Sequence, residues 1–192
     1  MRRDGSYTLA IMVNLILYGD IKDKSITSKL CRVLSDYGGV LYFSDTKASR
    51  YGNYGNISFN IYECDNVNEI AIPDGIVIFK SKQSGNSAIK LSDTTIVIIE
   101  STNCSAISAI NGNNNPCISC GMSNNDSVTL SSISDNSATI SIQRSITDIK
   151  GNVIEPCDIT VRLKQFCDGF TLLSIFCLLV ISGEINEHKI II

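Results

Sequence analysis

Val13-Asn14-Leu15-Ile16-Leu17-Tyr18 running into Gly19-Asp20-Ile21-Lys22-Asp23-Lys24-Ser25 is the stretch on which the fold of this 192-residue chain turns. The first six residues read as a short buried strand, and the glycine-led polar residues after them as a loop. Beyond the loop, Ile26, Leu30, Val33 and Leu34 fall at helical spacing, with Ser25 and Thr27 near the start and Gly38-Gly39 at the end. Strand, loop and helix in this order are the layout of a phosphate-binding loop. Such a loop presents successive backbone amides to an anion at a helix N-terminus, while a lysine adds charge and a Ser/Thr hydroxyl reaches magnesium. Gly19, Lys24 and Ser25 are therefore candidate cofactor-binding residues for ATP with magnesium. Asp23 stands where the glycine before the lysine belongs, and Asp20 adds a second negative charge, only partly offset by Lys22. Like charges beside a phosphate oppose its binding. The alternative is a loop that merely connects strand to helix.

Further along, Val40-Leu41-Tyr42-Phe43 reads as a second buried strand ending at Ser44-Asp45-Thr46. In open α/β sheets ligands bind at that end of the strands, so Thr46 joins the candidates. Residues 47–56, with Tyr51-Gly52-Asn53-Tyr54-Gly55-Asn56, read as a polar loop, either a mobile lid or a long connection. Ile57-Ser58-Phe59-Asn60-Ile61-Tyr62 alternates as a half-buried strand does, and Glu63 closes it. Glu63 is the candidate magnesium ligand; the competing reading is a solvated carboxylate at a strand end. Ile76-Val77-Ile78-Phe79 and Ile96-Val97-Ile98-Ile99 are continuous apolar runs suited to strands covered on both faces.

A short helix is expected around Ala106, Ile107, Ala109 and Ile110, then a strand at Cys117-Ile118-Ser119-Cys120. In the last third, residues 128–130, 138–142 and 153–163 alternate or run apolar around a turn at Asp148-Ile149-Lys150-Gly151-Asn152, which predicts an antiparallel hairpin. Residues 170–182 form a buried helix stopped by Gly183, and residues 187–192 add an edge strand or lie free. The fold class is thus α/β, a mostly parallel sheet flanked by helices with an antiparallel hairpin in the C-terminal third, in a single domain over residues 1–192.

Composition narrows the function. With 44% hydrophobic and 18% charged residues and a net charge of −3, the chain is globular and lacks the basic footprint of a nucleic-acid binder. Its apolar run at residues 170–181 is too short for the roughly 20 residues of a membrane span. Met1-Arg2-Arg3-Asp4-Gly5-Ser6 is no signal peptide, so a cytoplasmic location is expected, with the 8 cysteines reduced and mostly packed. Cys117 and Cys120 have C-x-x-C spacing, but a zinc site needs a second paired half, and residues three apart on a strand face opposite ways. Asn124, Asn125, Asp126, Ser127, Thr129, Ser131 and Ser132 are a dense polar cluster, either a binding surface or a solvated loop. A single His188 near the C-terminus excludes a Ser/His/Asp or Cys/His catalytic set.

The order of these pieces resembles the central ATP-binding domain of the Mur ligases, which join amino acids to peptidoglycan precursors. Residues 18–27 occupy the place of that family's T-G-T-N-G-K-T-T loop, and Asp45-Thr46 resembles the residues after its second strand. Ile61-Tyr62-Glu63 falls where the family's strand ends in a magnesium-binding glutamate, and residues 96–103 are similar to the segment carrying its N-x-D-D turn. Residues 116–123 resemble its V-I-T-Y-G strand-turn, and Ile159-Thr160-Val161-Arg162-Leu163 its closing strand. The chain departs from the family at Asp23 and at Lys80-Ser81-Lys82-Gln83-Ser84-Gly85, which replaces a D-H-x-D segment, and it shows no carbamylated-lysine site. The family's domains for the UDP-sugar and for the incoming amino acid have no counterpart in these residues. What the resemblance implies is the fold, and a non-catalytic bacterial relative, without a cofactor, that binds a protein partner or itself in cell-wall synthesis or division. The alternative it implies is a nucleotide-binding enzyme, an ATPase or ligase-like, using Lys24, Ser25 and Glu63 with ATP and magnesium.

Overall fold

A computed structural model describes residues 11–53, 57–82, 88–183 and 190–192. In chain order its elements are β1 (Ile11–Tyr18), α1 (Ser25–Tyr37), β2 (Gly39–Ser44), β3 (Lys47–Tyr51), β4 (Ile57–Cys64), β5 (Glu69–Ile70), β6 (Ile76–Phe79), β7 (Lys90–Leu91) and β8 (Ile96–Glu100). There follow α2 (Cys104–Ala109), β9 (Cys117–Gly121), β10 (Val128–Ile133), β11 (Ser137–Ile142), β12 (Ile146–Thr147), β13 (Val153–Ile154), β14 (Cys157–Arg162) and α3 (Gly169–Ile181).

Ten strands form one sheet in the order β14-β11-β10-β9-β8-β6-β1-β4-β2-β3. Neighbours from β10 through to β2 are parallel, and the two ends of the sheet are antiparallel. The expected class is therefore observed: a mostly parallel sheet with antiparallel pairing in the C-terminal part. β12 and β13 form a separate two-stranded antiparallel sheet around the turn, where Asp148 accepts the amides of Lys150 and Asn152, each at 2.8 Å.

Burial explains the apolar runs. Val13, Leu15, Leu17, Ile61, Ile78 and Ile98 point to one face, into the core built with α1 and α3. Ile16, Tyr18, Val77, Phe79, Val97 and Ile99 point to the other, where α2 and the residues of β5 and β7 cover them. Helix α3 is apolar all round because residues from Phe170 to Ile181 are all buried against α1 and β8 to β10. Its start is capped by Asp168, whose carboxylate accepts the Thr171 amide at 2.9 Å.

One expectation about the connections is corrected. Residues 47–51 are an edge strand paired antiparallel to β2, so Asp45 and Thr46 form the tip of a tight hairpin. Lys47, Ala48 and Arg50 are exposed, the solvated pattern of an edge, which made the stretch read as loop. Of the supposed lid, Tyr54, Gly55 and Asn56 lie outside the described residues, as does His188. Of the two alternatives for residues 187–192, the described ones, 190–192, pair beside β14: Ile190 and Ile192 are buried, and Ile192 donates its amide to the Arg162 carbonyl at 2.8 Å. Cys120 lies on the buried side with its sulfur 3.6 Å from that of Cys177, whereas Cys117 is exposed. The C-x-x-C pair is thus divided between the two faces, as strand geometry requires.

Candidate functional site

Strand β1 lies at the switch point of the sheet: the chain first builds β2 and β4 on one side of it, then β6, β8, β9 and β10 on the other. In such sheets the crevice beyond the strands' C-terminal ends is the natural ligand position. Three adjacent strands deliver their ends there. β1 supplies the loop at residues 19–24, β4 supplies Glu63, and β6 runs straight into Lys80.

Gly19 begins the loop with φ +139°, a conformation open to glycine. A Cβ there would meet the Lys82 carbonyl oxygen at 2.6 Å. The loop is stitched down by Gly19 donating to the Cys64 carbonyl at 3.0 Å and Asp20 to the Lys82 carbonyl at 2.9 Å. Its two aspartates turn inward upon its own backbone. Asp20 Oδ1 accepts the Lys22 amide at 2.9 Å, and Asp23 Oδ1 accepts the Ser25 amide at 3.0 Å. Hydrogen bonds from the Ser25 side chain and amide hold the Asp23 carboxyl below its ordinary range. Amides that a phosphate loop offers to an anion are here satisfied by carboxylates of the chain itself.

The cationic half of the site is satisfied in the same way. Glu63 is fully buried, and its carboxylate receives Lys24, Lys80, Thr27 and Tyr42. Thr27 Oγ1 donates to Oε1 at 2.6 Å. Burial raises the Glu63 pKa, but the bonds from Lys24, Lys80, Thr27 and Tyr42 outweigh it and leave the group below its ordinary value. Lys80 is 1% exposed, and besides Glu63 its ammonium donates to the carbonyls of Asp20 and Asp23, each at 2.9 Å. It thereby ties the loop to β4 from beneath. Lys24, about half exposed, also donates to the Tyr42 hydroxyl at 3.1 Å. Burial lowers its pKa, and the bonds to Glu63 and Tyr42 prevail and raise it. Asn103, the N-cap of α2, donates to the Lys80 carbonyl at 3.0 Å and fixes that end of β6.

Of the residues singled out in the sequence, Gly19, Lys24, Ser25 and Glu63 come together in this crevice. Thr46 does not: it sits exposed at the hairpin tip and is not among the side chains bonded to Glu63. Sequence reasoning missed Lys80, Thr27 and Tyr42 as partners of Glu63. Lys80 left one signal, an ammonium directly after a wholly apolar buried strand, where a lysine needs a carboxylate partner. The mouth of the crevice holds about 250 Å³ and is edged by Asp23, Asp168, Lys80 and Lys82. Among the described residues there is no group of three or more His, Cys, Asp or Glu side chains placed to hold a metal ion, and no helix is long and apolar enough to cross a membrane.

No protein-family profile and no curated protein matches this sequence. Among solved structures, the fold is similar to that of a murein peptide ligase from Psychrobacter arcticus 273-4, with a TM-score of 0.55 and 12% identity, over 90% of this chain and 44% of the ligase. It is also similar to UDP-N-acetylmuramoyl-L-alanyl-D-glutamate–2,6-diaminopimelate ligase, with a TM-score of 0.50 and 9% identity, over 92% of this chain and 44% of that one. At such identities the likeness is one of fold, and this chain spans less than half the length of either ligase.

Proposed function

We propose that this protein is a non-catalytic relative of the Mur ligases that acts as a binding or scaffolding protein in cell-wall synthesis or division. The observation that carries the reading is the self-filled crevice. Asp20 and Asp23 take the amides that would hold a phosphate, and the Lys80 ammonium lies against Glu63 where a cation would be needed. A magnesium ion requires near-octahedral oxygen ligands at about 2.1 Å. Glu63, with two ammonium groups and two hydroxyls on its oxygens, does not fit that demand. Nucleotide binding would have to break these bonds and bring phosphate charge against Asp20 and Asp23, an opposition that the lysines already spent on Glu63 do not relieve.

A binding role is supported by a sheet face at β2, β4 and the start of β1 that is left exposed among the described residues. Met12 is 62% exposed there, and Phe43 stacks on Tyr62 with ring centroids 5.5 Å apart beside the exposed Leu41. A cluster of exposed apolar side chains on one sheet face is a feature of protein contacts, with a partner or with a second copy. The link to the cell wall rests on the fold likeness to the two ligases.

Titration of the full chain with ATP and magnesium, followed by calorimetry and amide chemical shifts, tests the reading. The expected outcome is no magnesium-dependent binding and no change in the amide shifts of residues 20–25 at millimolar nucleotide. Micromolar magnesium-dependent binding that shifts the amides of residues 20–25 and disappears in Lys24→Ala would overturn it and favour a nucleotide-binding enzyme with an atypical loop.

A further inference from the structure

Three of the side chains gathered on Glu63, Lys24, Thr27 and Tyr42, also line a cleft of about 430 Å³ that runs between α1 and the β2–β3 hairpin. Lys24, Ser28, Arg32 and Ser35 line it from the helix, the three-to-four spacing that sets side chains along one stripe. Lys47 and Tyr51 face them from the hairpin. Its charge is one-sided: Lys24, Arg32 and Lys47 line it and no carboxylate does, in a chain whose net charge is −3. Arg32 and Lys47 form none of the ion pairs among the described residues. Lys24 is shared with Glu63, but that carboxylate is also neutralised by Lys80, so the three groups together still carry one positive charge. An ammonium has three donors, and Lys24 uses two of them on Glu63 and Tyr42, leaving one.

Isolated surface cations are ordinarily solvated and mean nothing. Here they converge in a concave space of the size ligands occupy, roughly 300 to 1,000 Å³. We propose that this cleft binds a small phosphorylated molecule, its phosphate held by Arg32 and Lys47 with Lys24 behind them. Phosphate is favoured over a single carboxylate because the guanidinium fork pairs with two oxygens at once and the surplus positive charge exceeds what one carboxylate neutralises. The half-buried Tyr51, with Cys31 in the floor, gives the rest of the molecule an apolar wall. Burial lifts the Cys31 thiol to about 11, so it serves as surface and not as a nucleophile. This inference goes beyond the proposed function: it shares Lys24 with the Glu63 site and rests on Arg32 and Lys47, which that site does not use.

The test is titration of the full chain with inorganic pyrophosphate, without magnesium and at low ionic strength, followed by calorimetry and by amide chemical shifts. Saturable binding of one pyrophosphate per chain is expected, with shifts on α1 and the hairpin. Arg32→Gln and Lys47→Gln should each weaken it about ten-fold, with unchanged thermal midpoints because neither exposed side chain is ion-paired. No binding at millimolar pyrophosphate overturns the proposal, as does binding unchanged in both variants. Malonate binding as tightly as pyrophosphate overturns the phosphate assignment. Shifts confined to the amides of residues 20–25 would place the anion in the loop and overturn this proposal; the separate titration with ATP and magnesium decides the fate of the other reading.

Discussion

Lys80 sits with its side chain 1% exposed, and its ammonium has a carboxylate and two carbonyls for partners. Taking an ammonium and a carboxylate out of water costs several kcal/mol each, recovered only when the geometry satisfies both. Removing one member leaves the other charged and buried. Lys80→Met should therefore cost about 3 kcal/mol or more, read from urea unfolding. Lys24→Met, at a half-exposed position, should cost about 1 kcal/mol or less. Pairing Lys80→Met with Glu63→Leu should recover part of the loss, since an apolar pair of similar volume removes both desolvation costs. If the double variant is as unstable as the sum of the singles, Glu63 and Lys80 are not energetically coupled. At this scale the sequence was readable by halves. Glu63 was legible as a strand-end carboxylate, but its partners lie 17, 21, 36 and 39 positions away and no local pattern links them.

The loop and the helix after it form the element that the sequence described best. The strand, glycine, polar loop and helix are all present, and the buried residues of α1 include Ile26, Leu30, Val33 and Leu34, the ones whose spacing predicted it. The start of that helix was less legible, because its N-cap, Lys24, makes no side-chain cap bond and Asp23 supplies the acceptor instead. Gly19→Ala tests how tightly this element is seated. The φ of +139° and the Lys82 oxygen 2.6 Å from the new Cβ combine strain with a clash, for an expected loss of about 3 kcal/mol in chemical unfolding. Gly112, with φ +93° and nothing within 4 Å of its would-be Cβ, isolates the backbone part, and Gly112→Ala should cost only about 1 kcal/mol. Equal losses at the two positions would show that the contact with residues 80–82 contributes nothing. The β2–β3 hairpin was misread for a reason of the same scale. An edge strand pairs on one side only, and its exposed Lys and Arg leave no apolar alternation to detect.

For the molecule as a whole, the acid limb of stability carries the signature of the crevice. Glu63 has a folded pKa below its ordinary 4.5. Its contribution to stability is therefore complete above that value and is lost as pH falls through the lower folded value. Asp23 and Asp148 are also lowered, from 3.8, and add to the loss at still more acidic pH. Unfolding free energy should fall with pH below about 4.5, and Glu63→Gln should start lower at neutral pH and show a shallower fall. An unchanged slope in that variant would mean that Glu63 does not govern the limb. The amino-acid sequence by itself determined the class of fold, because continuous β-branched runs, a helix-spaced stripe and an all-apolar helix can each be buried in few ways. It determined also that a strand, a glycine and a lysine stand at one sheet edge. Only the tertiary structure decided what that edge is. Strand order brings the ends of β1, β4 and β6 together, and there Asp20 and Asp23 accept amides of their own loop while Lys80 pairs with Glu63. Hydrogen-bond satisfaction is a property of atoms meeting in space, and neither periodicity nor spacing along the chain encodes it.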